Sequence, residues 1–159
     1  MDHLWSPWRY RYVSSAQPDD SCLFCRVACD SNDRGNYILR RAAKNFIMLN
    51  AFPYTAGHLM IAPYAHVASL SDADPEALQE MIVLAQSAES ALRRVYQAQG
   101  FNMGMNIGAS AGAGVAGHLH LHLLPRWLGD VNFMTTIAET RVLPEDLETS
   151  YERLSAAFV

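Results

Sequence analysis

Cysteine is scarce in this sequence: three in 159 residues, confined to positions 22, 25 and 29. An odd number in one short segment makes no disulfide framework, and it suits a reducing compartment or a metal clip. Long hydrophobic runs are missing as well. Stretches such as Phe46-Ile47-Met48-Leu49 fall far short of the roughly 20 apolar residues of a membrane span, so no membrane partner is expected. The N-terminus does not read as a secretory leader, because Met1-Asp2-His3 is not basic and no apolar stretch follows before Ser14-Ser15. The expected location is the cytoplasm. There is no cationic excess either: 12 Lys and Arg against 16 Asp and Glu give a net charge of −4. That excludes broad electrostatic binding to a nucleic acid polymer but leaves a compact anion held by local dipoles. Internal repeats and low-complexity tracts are absent apart from one Gly/Ala loop.

What is present matches a single globular domain, half of it hydrophobic and 18% charged. Residues 1–20 read as an aromatic, basic arm, Leu4-Trp5-Ser6-Pro7-Trp8-Arg9-Tyr10-Arg11-Tyr12, broken by Pro18-Asp19-Asp20. Residues 21–159 read as the domain. Strands are expected over Tyr37–Arg40 and Phe46–Asn50, with Ala43-Lys44-Asn45 between them, and over His58–Pro63. A long helix is expected from Pro75 to about Gln99, capped by Asp74 and ended by Gly100. Its buried stripe would be Leu78, Met81, Ile82, Ala85, Ala88, Leu92 and Val95. Strands over Phe101–Ile107 and His118–Leu124 flank the Gly/Ala loop, and a last amphipathic helix runs from about Pro144 to Phe158. This order suggests an α+β domain with a mostly antiparallel sheet.

The informative segment is Gly117-His118-Leu119-His120-Leu121-His122-Leu123-Leu124-Pro125. On a strand, alternate side chains share a face, so the leucines enter a core while three imidazoles about 6–7 Å apart line a surface. A row of imidazoles buried without partners would cost stability, which makes a purely structural role a weak explanation. The row could ligate a catalytic metal, or one imidazole could be a nucleophile oriented by its neighbours. The loop Gly108-Ala109-Ser110-Ala111-Gly112-Ala113-Gly114-Val115-Ala116-Gly117 has almost no bulk, so its N–H groups can approach an anion. Beside the imidazoles, that favours phosphoryl or nucleotidyl transfer.

His118-Leu119-His120-Leu121-His122-Leu123-Leu124 resembles the motif of the histidine triad (HIT) family of nucleotide hydrolases and transferases. The resemblance runs from about Cys22 to Phe133 and includes Leu49-Asn50, Gly57-His58-Leu59 and Asn106. Leu4-Trp5-Ser6-Pro7-Trp8-Arg9, Cys22-Leu23-Phe24-Cys25 and Pro125-Arg126-Trp127, with Gly129-Asp130 and Asn132-Phe133, are most similar to the bacterial diadenosine tetraphosphate phosphorylases and hydrolases. The resemblance implies a HIT-like domain with a five-stranded, mostly antiparallel sheet, one long helix and one C-terminal helix. It implies His120 as nucleophile, forming a nucleotidyl-histidine released by water or phosphate, with His122 on the transferring phosphate, His118 ordering the row and His58 as a further active-site histidine. Asn50 would contact the ribose and Asn106 the phosphate edge. Loop N–H groups from Ser110 to Val115, Gly112 and Gly114 among them, would bind phosphate charge. Where many eukaryotic members carry Gln or Ser four residues before the first histidine, this chain has Gly114, and Ser110 or backbone donors would take over. Adenosine phosphoramidase activity, or purine-nucleotide binding with incidental hydrolysis, are the other readings.

The Cys22-Leu23-Phe24-Cys25 gap lets both sulfurs reach one zinc, but a pair needs two more ligands. Some histidine triad proteins and the related galactose-1-phosphate uridylyltransferases complete such a site with two histidines, here His66 and His118. The resemblance thus implies a structural Zn²⁺ on Cys22, Cys25, His66 and His118, no organic cofactor, a small nucleotide substrate and a homodimer.

Overall fold

The computed structural model describes residues 22–130, 135 and 143–158. The arm over residues 1–20 and the Asn132-Phe133 pair lie outside the described residues. Five strands form one antiparallel sheet: β1 (Ile38–Arg41), β2 (Asn45–Leu49), β3 (Leu59–Pro63), β4 (Gly100–Gly104) and β5 (Leu121–Arg126), in the order β1-β2-β3-β5-β4. Helix α1 (Leu23–Cys29) precedes them, α2 (Pro75–Tyr96) crosses between β3 and β4, and α3 (Leu147–Ser155) follows β5.

Every residue of β2 and β3 is buried, because helices cover both faces of the sheet there. Ile47, Leu49, Leu59, Ile61, Leu121 and Leu123 pack with Met81, Leu84, Ala88 and Leu92 of α2 and Leu154 of α3. Phe46, Met48, Met60 and Ala62 point the other way and pack on Phe24 and Val27 of α1. Strand alternation thus divides the core into two layers. Leu121 and Leu123 of the histidine segment belong to the α2 layer, so the histidines that alternate with them belong to the α1 side.

Asp74 caps α2, its carboxylate accepting from the Glu76 N–H, with Pro75 in the first turn. The helix ends three residues early. Gln97 takes the left-handed conformation at φ 52° and its N–H closes on the Arg93 carbonyl, so Gly100 is free to open β4. The buried stripe is also rotated from the expected one. Ala77, Leu84 and Ala91 are inside, Leu78 and Val95 are only half-buried and Ile82 is exposed. The turn between β1 and β2 stands one residue earlier than the sequence suggests, with Asn45 already in β2. Glu80 of α2 explains it: its carboxylate accepts from the Ala43 and Lys44 N–H groups and from Asn45 Nδ2, at 2.8–3.1 Å.

Candidate active site

The histidine segment enters the sheet only at Leu121. His118, Leu119 and His120 lie ahead of the ladder but keep the alternation, held by the Leu119 N–H on the Val67 carbonyl. Across β3, His122 stands opposite Met60 and Leu123 opposite Leu59, so His58, two residues before Met60, shares a face with His122. The rings form a continuous row. His66 and His118 have centroids 5.3 Å apart, Phe24 touches His118 (5.1 Å) and His120 (4.8 Å), His120 meets His122 (4.8 Å), and His122 meets His58 (5.1 Å).

Hydrogen bonds assign a tautomer to each imidazole, since a carbonyl can only accept and an amide N–H can only donate. The Tyr54 N–H donates to His58 Nδ1 at 3.2 Å, and Asn50 Nδ2 lies 3.3 Å from the same atom. His58 therefore carries its proton on Nε2 and donates it to His122 Nδ1 at 2.9 Å. His122 in turn carries its proton on Nε2. His120 Nδ1–H donates to the His118 carbonyl at 2.8 Å, which leaves a lone pair on Nε2. His118 Nε2–H donates to the Pro63 carbonyl at 2.9 Å, which leaves a lone pair on Nδ1.

Burial disfavours the charged form of these rings. Desolvation, then the neighbouring His122 and His120, push His58 down to about 3. Desolvation and then His120 push His122 down to about 4. His120 and His118 are also lowered by desolvation, against the opposing pull of their carbonyl partners.

His120 and His122 line a cavity of about 270 Å³. Its lining includes Asn50, Asn106, Gly112 and Gly114 and the apolar Phe24, Met48, Met60 and Val115. The Gly/Ala loop contains a short 3₁₀ turn, Ala109–Ala111, between Gly108 at φ 82° and Gly112 at φ 85°, where a side chain would strain the backbone. Ser110 is exposed and does not line the cavity. Asn50 Oδ1 accepts from the Phe52 N–H at 2.9 Å, so Asn50 ties the Pro-containing loop to His58.

At the other end of the row, one nitrogen each of His66 and His118 and the sulfurs of Cys22 and Cys25 all lie within 4.8 Å of one another. His118 Nδ1 is 3.3 Å from Cys22 Sγ and 3.6 Å from Cys25 Sγ, and His66 Nδ1 is 3.3 Å from Cys25 Sγ. The donor set fits a tetrahedral metal: two sulfurs and two nitrogens, with the His118 lone pair aimed inward by its bond to the Pro63 carbonyl. Cys29 is exposed and outside the cluster.

The sequence thus anticipates residues that meet in space: His58, His118, His120 and His122 in one row, Asn50, Asn106, Gly112, Gly114 and Val115 around the cavity, and Cys22, Cys25, His66 and His118 in one cluster. Three participants were not foreseen. Phe24 stands between the cluster and His120, the Tyr54 N–H sets the His58 tautomer, and the Pro63 carbonyl sets that of His118. Only Phe24 left a trace, as the aromatic one of the two apolar residues between Cys22 and Cys25.

Residues 36–127 match the HIT domain. The chain is 34% identical to an AP-4-A phosphorylase of Mycobacterium tuberculosis over 163 aligned residues, covering 98% of this chain and 83% of that protein. A Zn-bound histidine triad family protein from Mycobacterium smegmatis shares the fold with a TM-score of 0.71 at 31% identity, over 87% of this chain and 94% of the other. A hypothetical histidine triad nucleotide-binding protein from Sulfolobus tokodaii does so with a TM-score of 0.69 at 26% identity, over 86% and 91%. No helix among the described residues is long and apolar enough to cross a membrane. With its five-stranded antiparallel sheet, its imidazole row and a family match over more than half its length, the chain belongs to the histidine triad family.

Proposed function

We propose that the protein cleaves dinucleoside polyphosphates of the diadenosine tetraphosphate kind through a nucleotidyl-histidine on His120. The observation that carries this reading is the bond from His120 Nδ1–H to the His118 carbonyl, which leaves an unprotonated Nε2 on a ring that lines the cavity. That lone pair attacks the α-phosphorus in line. The P–O bond to the remaining polyphosphate breaks, its electron pair leaving with the oxygen, which is a good leaving group without a proton. The adduct places positive charge on the imidazole, and the carbonyl on Nδ1–H stabilises it. Water or inorganic phosphate then attacks the phosphorus, the P–N bond breaks with its electron pair returning to Nε2, and attacking water gives up its proton to solvent.

His122 Nε2–H donates to a non-bridging oxygen of the transferring phosphate, and His58 keeps that proton in place through His122 Nδ1. Backbone N–H groups of the Gly/Ala loop stabilise charge that develops on the phosphate, Asn106 binds its edge, and Asn50 contacts the ribose. Similarity to the M. tuberculosis phosphorylase supports this choice of substrate.

Cys22, Cys25, His66 and His118 would hold Zn²⁺ as a closed, four-coordinate structural site, a reading supported by the Zn-bound M. smegmatis relative. The bound metal would tie α1 to the catalytic segment. Pairing of two copies into a homodimer would cover sheet surface that is bare in one chain: β4 is an edge strand and its Met103 is 55% exposed.

The test is incubation with diadenosine tetraphosphate, with and without inorganic phosphate, and identification of products. Adenosine diphosphate formed only with phosphate means phosphorolysis, and adenosine monophosphate means hydrolysis. Full recovery of substrate under both conditions refutes the reading.

A further inference from the structure

Three residues that line the cavity have no part in the proposed phosphate chemistry: Gly35, Asn36 and Tyr37, in the loop that enters β1. Asn36 is half-buried there. Its Nδ2 donates to Asp30 Oδ2 at 2.8 Å and to the Asn32 carbonyl at 3.0 Å, and neither of these residues lines the cavity. A carboxamide has two N–H donors and one oxygen acceptor. With both donors committed, the group that Asn36 has left for a ligand is Oδ1, which has no hydrogen-bond partner among the described residues. The amide cannot turn over, because that would set Oδ1 against a carboxylate and a carbonyl, both acceptors.

The loop that holds it is tightly built. Asp30 Oδ1 accepts from the Asn32 N–H at 2.9 Å, Asn32 Oδ1 from the Gly35 N–H at 3.0 Å, and the Asn32 carbonyl from the Asn36 N–H at 3.1 Å. Arg41 fastens the preceding helix end, donating to the carbonyls of Val27, Ala28 and Asp30. Tyr37 takes φ 55°, a conformation rare for an aromatic residue, between its N–H bond to Arg34 and the bond from the Leu49 N–H. Leu23, Val27 and Met48 supply apolar surface nearby for a flat ring.

We infer that Asn36 determines base specificity, its Oδ1 accepting from the exocyclic amine of adenine and repelling the 6-oxo group of hypoxanthine. The inference rests on the reading of the cavity as a nucleotide site. Asp30 is a positioning residue, since it dictates which end of the amide faces the ligand.

Binding of adenosine monophosphate and inosine monophosphate, measured by calorimetry on the full chain, tests this. The wild type should bind the adenine nucleotide about tenfold more tightly, the worth of one hydrogen bond plus a removed clash. In Asn36→Ala the ratio should fall to within about twofold. Asp30→Ala should lower it too while Asn36 remains, because only the Asn32 carbonyl then opposes turning of the amide, which would offer an N–H to the 6-oxo group. General loosening of the loop weakens both nucleotides together, so only the ratio reports reading of the base. Equal binding by the wild type, or an unchanged ratio in Asn36→Ala, overturns this inference and leaves nucleotide processing intact. Binding of neither nucleotide overturns the proposed function as well.

Discussion

His120 Nδ1–H donates to the carbonyl of His118, two residues back in its own chain, at 2.8 Å. The short span means that the tautomer of His120 depends on the path of a single loop-to-strand segment. That segment is anchored from outside at His118, whose ring is held by the Pro63 carbonyl and points at the two cysteine sulfurs. Displacement of His118 would therefore be felt at His120 Nε2 through one peptide unit.

His120→Ala should abolish turnover of diadenosine tetraphosphate, by at least about a thousandfold, because no other group replaces the nucleophile. Circular dichroism and melting temperature should stay near those of the wild type. Retained activity would remove His120 from its role.

His58→Ala should lower kcat by about 10–100-fold while leaving His120 in place. Without the donor from His58 Nε2, His122 is free to place its proton on Nδ1, and the hydrogen bond to phosphate is lost. Steady-state kinetics beside a binding assay separates this from weaker substrate binding: kcat should drop more than KM rises.

Activity should be level through neutral pH and fall only in acid. Protonation of His120 Nε2 removes the nucleophile, and burial lowers its pKa, so the acid limb of kcat/KM should lie below the ordinary histidine value of about 6.5. Stability follows the same sign. His58 at about 3 and His122 at about 4 are neutral when folded, while in the unfolded chain they take up protons near 6.5. Their contribution is fully present above about 6.5 and is lost as pH falls through the folded values. A melting temperature that rises between pH 6.5 and 4 would contradict it.

Undialysed protein should contain stoichiometric zinc by elemental analysis. Cys25→Ala should lose it and melt about 5–10 °C lower, through loss of the link between α1 and the His118 segment. Absence of zinc from freshly purified wild type would remove the metal reading.

Glu80→Ala should destabilise the fold by about 1–3 kcal/mol without altering chemistry, as three donors of the β1–β2 turn lose their acceptor. Chemical denaturation should show a lower midpoint and unchanged activity at low denaturant.

Local pattern in the sequence determined a good deal. Alternation of His and Leu sorted the two faces of β5, because strand side chains alternate whatever surrounds them. Asp74-Pro75 announced the start of α2, since its first-turn N–H groups need an acceptor nearby in sequence. The Cys22–Cys25 spacing and the lack of bulk in the Gly/Ala loop are likewise legible within a few residues. Tertiary structure decided what depends on partners far along the chain. Cys22 meets His118 across 96 positions, and His58 meets His122 across 64. It also decided which nitrogen of each imidazole bears the proton, because that follows from the Tyr54 N–H and the Pro63 carbonyl, which every residue but proline and every residue, respectively, could supply. Periodicity places a side chain on a face; only the register of the sheet and the path of the loops bring a particular donor to a particular acceptor.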